Sequence, residues 1–161
     1  MLLVSDTSIL IDLERGGLLA TAFAAGMPMV VPDILYQREI AEYNGPYLRE
    51  LGLQVVELTP AEVQLAQEVN QARPTLSLTD CFALSCATRA GHILVTGDRA
   101  LRTEATSRQV EVVGLLWLLD RLAEVGVDLP TLRAGLDQIA NHPRCRVPSG
   151  EVRARLAAWD S

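Results

Sequence analysis

Apolar residues fall along this chain in short blocks, each closed by turn residues and followed by a helical pattern. That alternation predicts a layered α/β fold with a mostly parallel sheet. Met1 to Val4 reads as a buried strand, and Ser5-Asp6-Thr7-Ser8 turns it into a helix over Ser8–Glu14 that Gly16-Gly17 ends. A short Ala-rich helix over Leu18–Ala25 and a strand at Met29–Val31 follow. Pro32-Asp33 opens a helix to about Tyr43, stopped by Asn44-Gly45-Pro46. Pro46–Leu51 gives another helical turn and Leu53–Leu58 a strand. Thr59-Pro60-Ala61-Glu62 starts a helix that ends before Pro74.

Ser77-Leu78-Thr79-Asp80 has the capping-box form, with Asp in place of the longer acid that reaches back best. Asp80 therefore reads either as a cap residue or as a first-turn acid facing a pocket. Cys81–Ala90 is almost entirely apolar or small and predicts a helix buried on most sides, ended by Gly91. His92–Thr96 is a buried strand with Gly97-Asp98 at its carboxyl end. Arg99–Arg108 is a polar helix, Val110–Val113 a last strand, and Leu115–Val125 a strongly apolar helix around Trp117. Beyond Gly126 the alternation stops. Leu129-Pro130 opens a helix to about Ala140, a basic turn Arg144-Cys145-Arg146 follows, and Pro148-Ser149 caps a helix to Trp159. Residues 1–125 thus form the expected domain and 126–161 a helical extension packed on it or exchanged from it.

Composition narrows the chemistry. The 161 residues carry a formal charge of −6, which speaks against a broadly basic nucleic-acid coat but leaves room for a local basic patch. All 14 basic residues are Arg, so lysine-dependent phosphate loops, Schiff bases and lysine-assisted aspartyl-phosphate chemistry are excluded. Three cysteines without a C-x-x-C pair indicate free thiols and a reducing cytoplasm. The first apolar run lacks a basic flank and is broken by Asp6, unlike a signal peptide. No apolar stretch reaches the roughly 18 residues of a membrane span.

The acids supply the candidate chemistry. In an open α/β sheet, ligands sit at the carboxyl ends of the strands. Asp6 follows the first strand, Asp98 the fourth, Glu39 lies on the helix after the second, and Asp80 opens the helix before the fourth. If the first and fourth strands are neighbours, all four acids reach one sheet edge. Alternatively, Asp6, Thr7 or Ser8 merely caps the next helix. Glu42 shares a helical face with Glu39 and is an alternative to it, unless it pairs with Arg38. Clustered carboxylates in a cleft need a counter-charge, and oxygen ligands favour Mg²⁺ or Mn²⁺. Such a metal activates water for phosphodiester hydrolysis. Arg99, Arg102 and Arg108 could meet an RNA backbone, or they form a solvated helix face with Glu104.

Asp6-Thr7-Ser8-x-Leu10-Ile11, Glu39-Ile40, Leu78-Thr79-Asp80 with Cys81-Phe82-Ala83-Leu84-x-x-Ala87, and Leu94-Val95-Thr96-Gly97-Asp98-x-x-Leu101 together resemble a PIN domain, in the right order. The resemblance spans about residues 1 to 125. It implies a three-layer α/β/α sandwich with a mostly parallel sheet of about five strands, extended here by C-terminal helices. It also implies a metal-dependent ribonuclease, often the VapC-type toxin of a toxin–antitoxin pair and commonly a homodimer. Carried over by position, Asp6, Glu39, Asp80 and Asp98 are the acidic quartet, with Asp6, Asp80 and Asp98 as metal ligands. Thr7, Ser8 and Thr96 then orient them. The Gly-Leu-Leu-Trp segment at 114–117 and the helices beyond resemble longer PIN proteins, which departs from a minimal toxin.

Other classes fit less well. A haloacid-dehalogenase phosphatase needs an Asp where Ser8 stands, and both it and a receiver domain need a Lys. A dinucleotide-binding module needs a glycine-rich turn that Ser5 to Ser8 lacks. The remaining competitor is a catalytically silent PIN-like module for RNA binding or assembly. An antitoxin peptide could dock in a groove beside the Leu18–Ala25 and Leu35–Tyr43 helices. Trp117 and Trp159 read as packing residues.

Overall fold

A computed structural model describes residues 1–160. Five parallel strands, β1 (Leu2–Ser5), β2 (Met29–Pro32), β3 (Gln54–Val56), β4 (His92–Val95) and β5 (Val112–Val113), form one sheet in the order β3-β2-β1-β4-β5. β1 is therefore central, with β2 on one side and β4 on the other. The register pairs Leu3 with both Met29 and Ile93, and Ser5 with Val95, so the carboxyl ends of β1 and β4 are level. Parallel strands need crossovers, which the helices supply. They are α1 (Thr7–Arg15), α2 (Leu19–Ala24), α3 (Asp33–Leu35), α4 (Gly45–Leu51), α5 (Pro60–Ala72), α6 (Leu78–Cys86) and α7 (Arg99–Ser107). After β5 come α8 (Leu115–Glu124), α9 (Leu129–Ala140) and α10 (Ser149–Ala158). Right-handed crossovers put α1 on one face of the sheet and α5 to α7 on the other, giving three layers. The chain order runs outward from β1 to β3 and then returns to β4, so a crevice opens between the ends of β1 and β4.

The core is aliphatic: Leu3, Val4, Met29, Val30, Val31, Leu94 and Val95 are fully shielded or nearly so. Helix α6 packs across β1, β2 and β4, which explains why Cys81 to Cys86 are all buried. Cys81, Cys86 and Cys145 are free thiols. No helix among the described residues is long and apolar enough to cross a membrane.

Three segments depart from the sequence expectation. Helix α6 starts at Leu78, with Ser77 as its cap, and ends at Cys86, so the Ser77–Asp80 cap and the apolar run are one short helix. The fifth strand is confined to Val112–Val113. The predicted helix from Pro32 to Tyr43 is α3 followed directly by a π-helical turn, Tyr36–Ile40, in which the Ala41 N–H bonds to the Tyr36 carbonyl. The turn ends at Ile40, so Glu39 and Glu42 do not share a helical face; Glu42 lies beyond it, exposed.

The segment after Gly126 packs on the rest. Helix α9 lies against α1, and α10 lies against α9. The crossing of α9 over the end of α1 is a glycine contact. A Cβ on Gly135 would stand 2.5 Å from Leu18 Cδ1 and 2.9 Å from the Gly16 carbonyl. Only a missing side chain lets the two backbones approach this closely. Arg155 of α10 then grips Asp120 of α8 through two bonds of 2.8 and 2.9 Å. Trp159 is buried in this extension as a packing residue, whereas Trp117 is only half-buried.

Candidate active site

The site begins where β1 runs out. Asp6 has extended backbone and caps α1: its Oδ1 accepts the Ile9 N–H at 3.0 Å and the Ser8 hydroxyl at 2.8 Å. Its other oxygen, Oδ2, accepts the hydroxyl of Thr96, which lies just past β4. Asp6 is thus a helix cap and a cleft carboxylate at once, because the cap uses only one oxygen. It is 3% exposed. Burial raises its pKa, against the lowering effect of the Thr96, Ser8 and Ile9 hydrogen bonds and of the Arg146 charge.

Thr96 is fully buried and works in two directions. It donates to Asp6 and accepts the Asp98 N–H at 3.1 Å, fixing the bend that carries the chain from β4 into α7. Asp98 caps α7 by accepting the Leu101 N–H at 2.9 Å on Oδ1. Its Oδ2 faces the Arg146 guanidinium at 3.6 Å. Arg102 donates to the Thr96 carbonyl at 3.2 Å, bracing the same bend.

Glu39 reaches the site from the π-turn. Its Oε2 accepts the Thr7 hydroxyl at 3.1 Å, which ties the second crossover to the start of α1. The wide turn re-aims this side chain, and such turns are frequent at functional positions. Asp80 sits in the first turn of α6, where its N–H bonds to Ser77 Oγ at 3.1 Å. Its carboxyl is pushed up to about 6, first by burial and then by the negative charge of Asp6, with Asp98 and Glu39 adding to it against the Ser77 hydrogen bond. Asp6, Glu39, Asp80 and Asp98 therefore share one field at the carboxyl edge of the sheet.

Among the described residues, no three carboxylate, His or Cys side chains stand close enough together to hold one metal ion as they are placed. The reason is local. Asp6 is engaged on both oxygens, Asp98 is engaged by its cap and by Arg146, and Glu39 leans on Thr7. The donor set itself, all carboxylate, suits a hard divalent cation. Asp6 Oδ1 accepts two hydrogen bonds and is filled, whereas Asp6 Oδ2 and Asp98 Oδ1 each accept one and keep a free lone pair.

Arg99 is exposed beside Asp98, and Arg108 is committed elsewhere. Arg108 and Arg73 hold the buried Glu104 at 2.8 and 3.2 Å, so Arg108 belongs to the packing of α7. His92 bonds to the Ala90 carbonyl at the opposite end of β4, away from the acids. Sequence reasoning missed Arg146 as a site residue. It enters from the loop before α10, where a basic turn was the only signal.

A family model described as a PIN domain matches residues 2–161, extension included. No curated protein and no solved structure matches the chain.

Proposed function

Because the chain belongs to the PIN-domain family, whose fold is in general that of nucleases, we propose that it is a Mg²⁺- or Mn²⁺-dependent endoribonuclease that hydrolyses RNA phosphodiester bonds. The observation that carries this proposal is the linkage of Asp6, Thr96 and Asp98 across the β1–β4 crevice, with Asp80 and Glu39 in the same field. Asp6, Asp80 and Asp98 would hold the ion, and Glu39 would complete the acidic set. When bound, such an ion lowers the pKa of a coordinated water and offsets charge on the leaving oxygen.

The protein's own groups prepare that chemistry. Thr96 and Ser8 keep Asp6 in one rotamer, and their hydrogen bonds favour its charged form against the effect of burial. Thr7 steadies Glu39. Arg99 and Arg102 border the acids on α7, where a phosphate backbone would pass.

The decisive experiment is cleavage of a mixed structured and single-stranded RNA pool with Mn²⁺, Mg²⁺ or chelator, wild type beside Asp6→Asn. Metal-dependent cutting lost in the substituted protein is the expected result. Equal cutting by both would sink the assignment. A second reading, a silent RNA-binding or assembly module, draws on the pairing of Asp98 with Arg146 and the absence of a ready-made three-acid cluster among the described residues. Calorimetry beside the cleavage assay separates the two: ion uptake without cutting favours the silent module, and no ion uptake at all sinks the metal site.

The finer roles are proposals of the same kind. Tyr43 and Tyr47 are 65% and 49% exposed, near a hollow of about 260 Å³ lined by Leu10, Ile11, Ile40 and Leu48. An amphipathic antitoxin helix would find its apolar anchors there. Growth arrest on expression, relieved by a co-purifying partner, tests the toxin role; sedimentation tests the homodimer. The unpaired thiols support a reducing compartment such as the cytoplasm.

A further inference from the structure

A cavity of about 970 Å³ lies between α7, α8 and the segment that leads into α10, and Gly97, the neighbour of Asp98, is part of its lining. Its charge is unlike that of the chain as a whole, which carries −6. Arg99, Arg102, Arg146 and Arg155 all line it. Arg155 is neutralised by Asp120 at 2.8 Å, and Asp12 has Arg15 at 3.6 Å. Glu151 is then the one lining acid without an ion-pair partner among the described residues, against Arg99, Arg102 and Arg146 in the same lining. Arg99 has no acidic partner among the described residues, and Arg146 has only the 3.6 Å approach to Asp98. These cations are loosely held, next to an acidic centre.

The same cavity is lined by Trp117, half-buried, with its neighbours Leu115 and Leu116. Trp117 packs against the hydrophobic core, as read from sequence, and its remaining surface lines the cavity. Guanidinium groups and an indole lining one cavity are complementary to a nucleotide: anionic phosphate, flat base. A paired base is stacked and hydrogen-bonded inside its helix, whereas an unpaired base has a face free to lie on Trp117, so this lining suits a single strand. The space is at the upper end of what small-ligand pockets offer, which is ample for one splayed nucleotide.

We infer that this cavity seats the nucleotide flanking the scissile phosphate of a single-stranded RNA, its phosphate on Arg99 and Arg146 and its base against Trp117. The inference rests on the nuclease reading above for its substrate class. The C-terminal extension thereby becomes part of the substrate site, because Arg146, Val147, Pro148, Glu151 and Arg155 line the cavity and Arg146 also meets Asp98. Arg146 can leave Asp98 for a phosphate without losing its charge compensation, because the phosphate takes the place of the carboxylate.

The test is binding of a fluorescein-labelled oligouridine to the full chain in chelator, followed by anisotropy at several salt concentrations and by tryptophan fluorescence. Each phosphate contact on single strands contributes about 0.7 to the slope of log K against log salt. Arg99→Gln and Arg146→Gln are each expected to lower the slope by about that amount. RNA should quench the wild type and Trp159→Phe, but not Trp117→Leu, whose affinity should fall by about tenfold or more. Trp117→Phe keeps a stacking face and should retain most of the affinity, which separates stacking from a packing defect. Unchanged slopes in both arginine variants, or no quenching in the wild type, overturn the inference. If metal-dependent cleavage persists alongside those results, only the cavity assignment falls; if cleavage is absent while slope and quenching behave as expected, the cavity stands and the nuclease reading falls.

Discussion

Thr96 donates its hydroxyl to Asp6 across ninety positions of sequence, and this bond joins the ends of the two central strands. Both partners are buried, so the bond is shielded from competing water. Thr96→Val removes the donor while keeping the shape, and leaves the Asp98 N–H without its acceptor. A hydrogen bond to a charged group is worth about 1.5–3 kcal/mol. Urea unfolding in chelator should show a loss of that order, with most of it recovered in Thr96→Ser.

Asp6 serves as cap and as carboxylate, and two substitutions separate these roles. Asp6→Asn keeps an acceptor for the Ile9 N–H, whereas Asp6→Ala does not. Both should abolish metal-dependent cleavage. Only Asp6→Ala should also cost about 1 kcal/mol of helix-cap stability relative to Asp6→Asn in thermal unfolding.

Asp80 offers a pH signature in the metal-free protein. Its folded pKa, about 6, lies above the ordinary value of 3.8. A raised carboxyl contributes its full stability below 3.8 and loses it as pH rises through 6. Asp80→Asn should therefore be more stable than wild type at pH 7 in chelator, and the gap should close below pH 4. The shift corresponds to about 3 kcal/mol, which solvent screening at this half-exposed position reduces to about 1 kcal/mol.

Glu62 carries the opposite sign. Arg89 bonds it at 2.7 and 2.8 Å and holds its pKa down to about 2, from an ordinary 4.5. This stability is present above 4.5 and lost as pH falls toward 2. Glu62→Gln should lose about 1–2 kcal/mol at pH 7 by urea unfolding, and much less near pH 2.

The glycine crossing of α9 over α1 should tolerate no side chain. Gly135→Ala places a methyl 2.5 Å from Leu18 Cδ1 and 2.9 Å from a backbone oxygen, so the helices must separate. Overpacking of this kind costs about 1–3 kcal/mol. Gly150→Ala in α10, where a Cβ meets nothing within 4 Å, is the control and should leave the melting temperature nearly unchanged.

Much of this arrangement was legible in the sequence. The apolar blocks at Leu3-Val4, Val30-Val31 and Ile93-Leu94-Val95 give the strands, because a parallel sheet covered on both faces needs continuous apolar runs. Asp6 and Asp98 follow their strands directly, so local sequence is enough to bring them to the sheet edge. Glu42 misled because a regular helical period was assumed through Tyr36–Ile40; one wide turn changes which residues share a face. Propensity does not announce such a turn. Arg146 was invisible for a different reason: its meeting with Asp98 depends on how α9 crosses α1, which two glycines permit and no spacing encodes.

The bond between residues 6 and 96 also sets an order of events in time. β1 is made before β4, and its carboxylate has no long-range partner until β4 has followed, ninety residues later. Arg146 arrives later still. The nascent chain thus carries this acid well before the groups that surround it have been made. Shortened products that stop before β4 would hold Asp6 in an unfinished pocket, unable to set its rotamer or its charge.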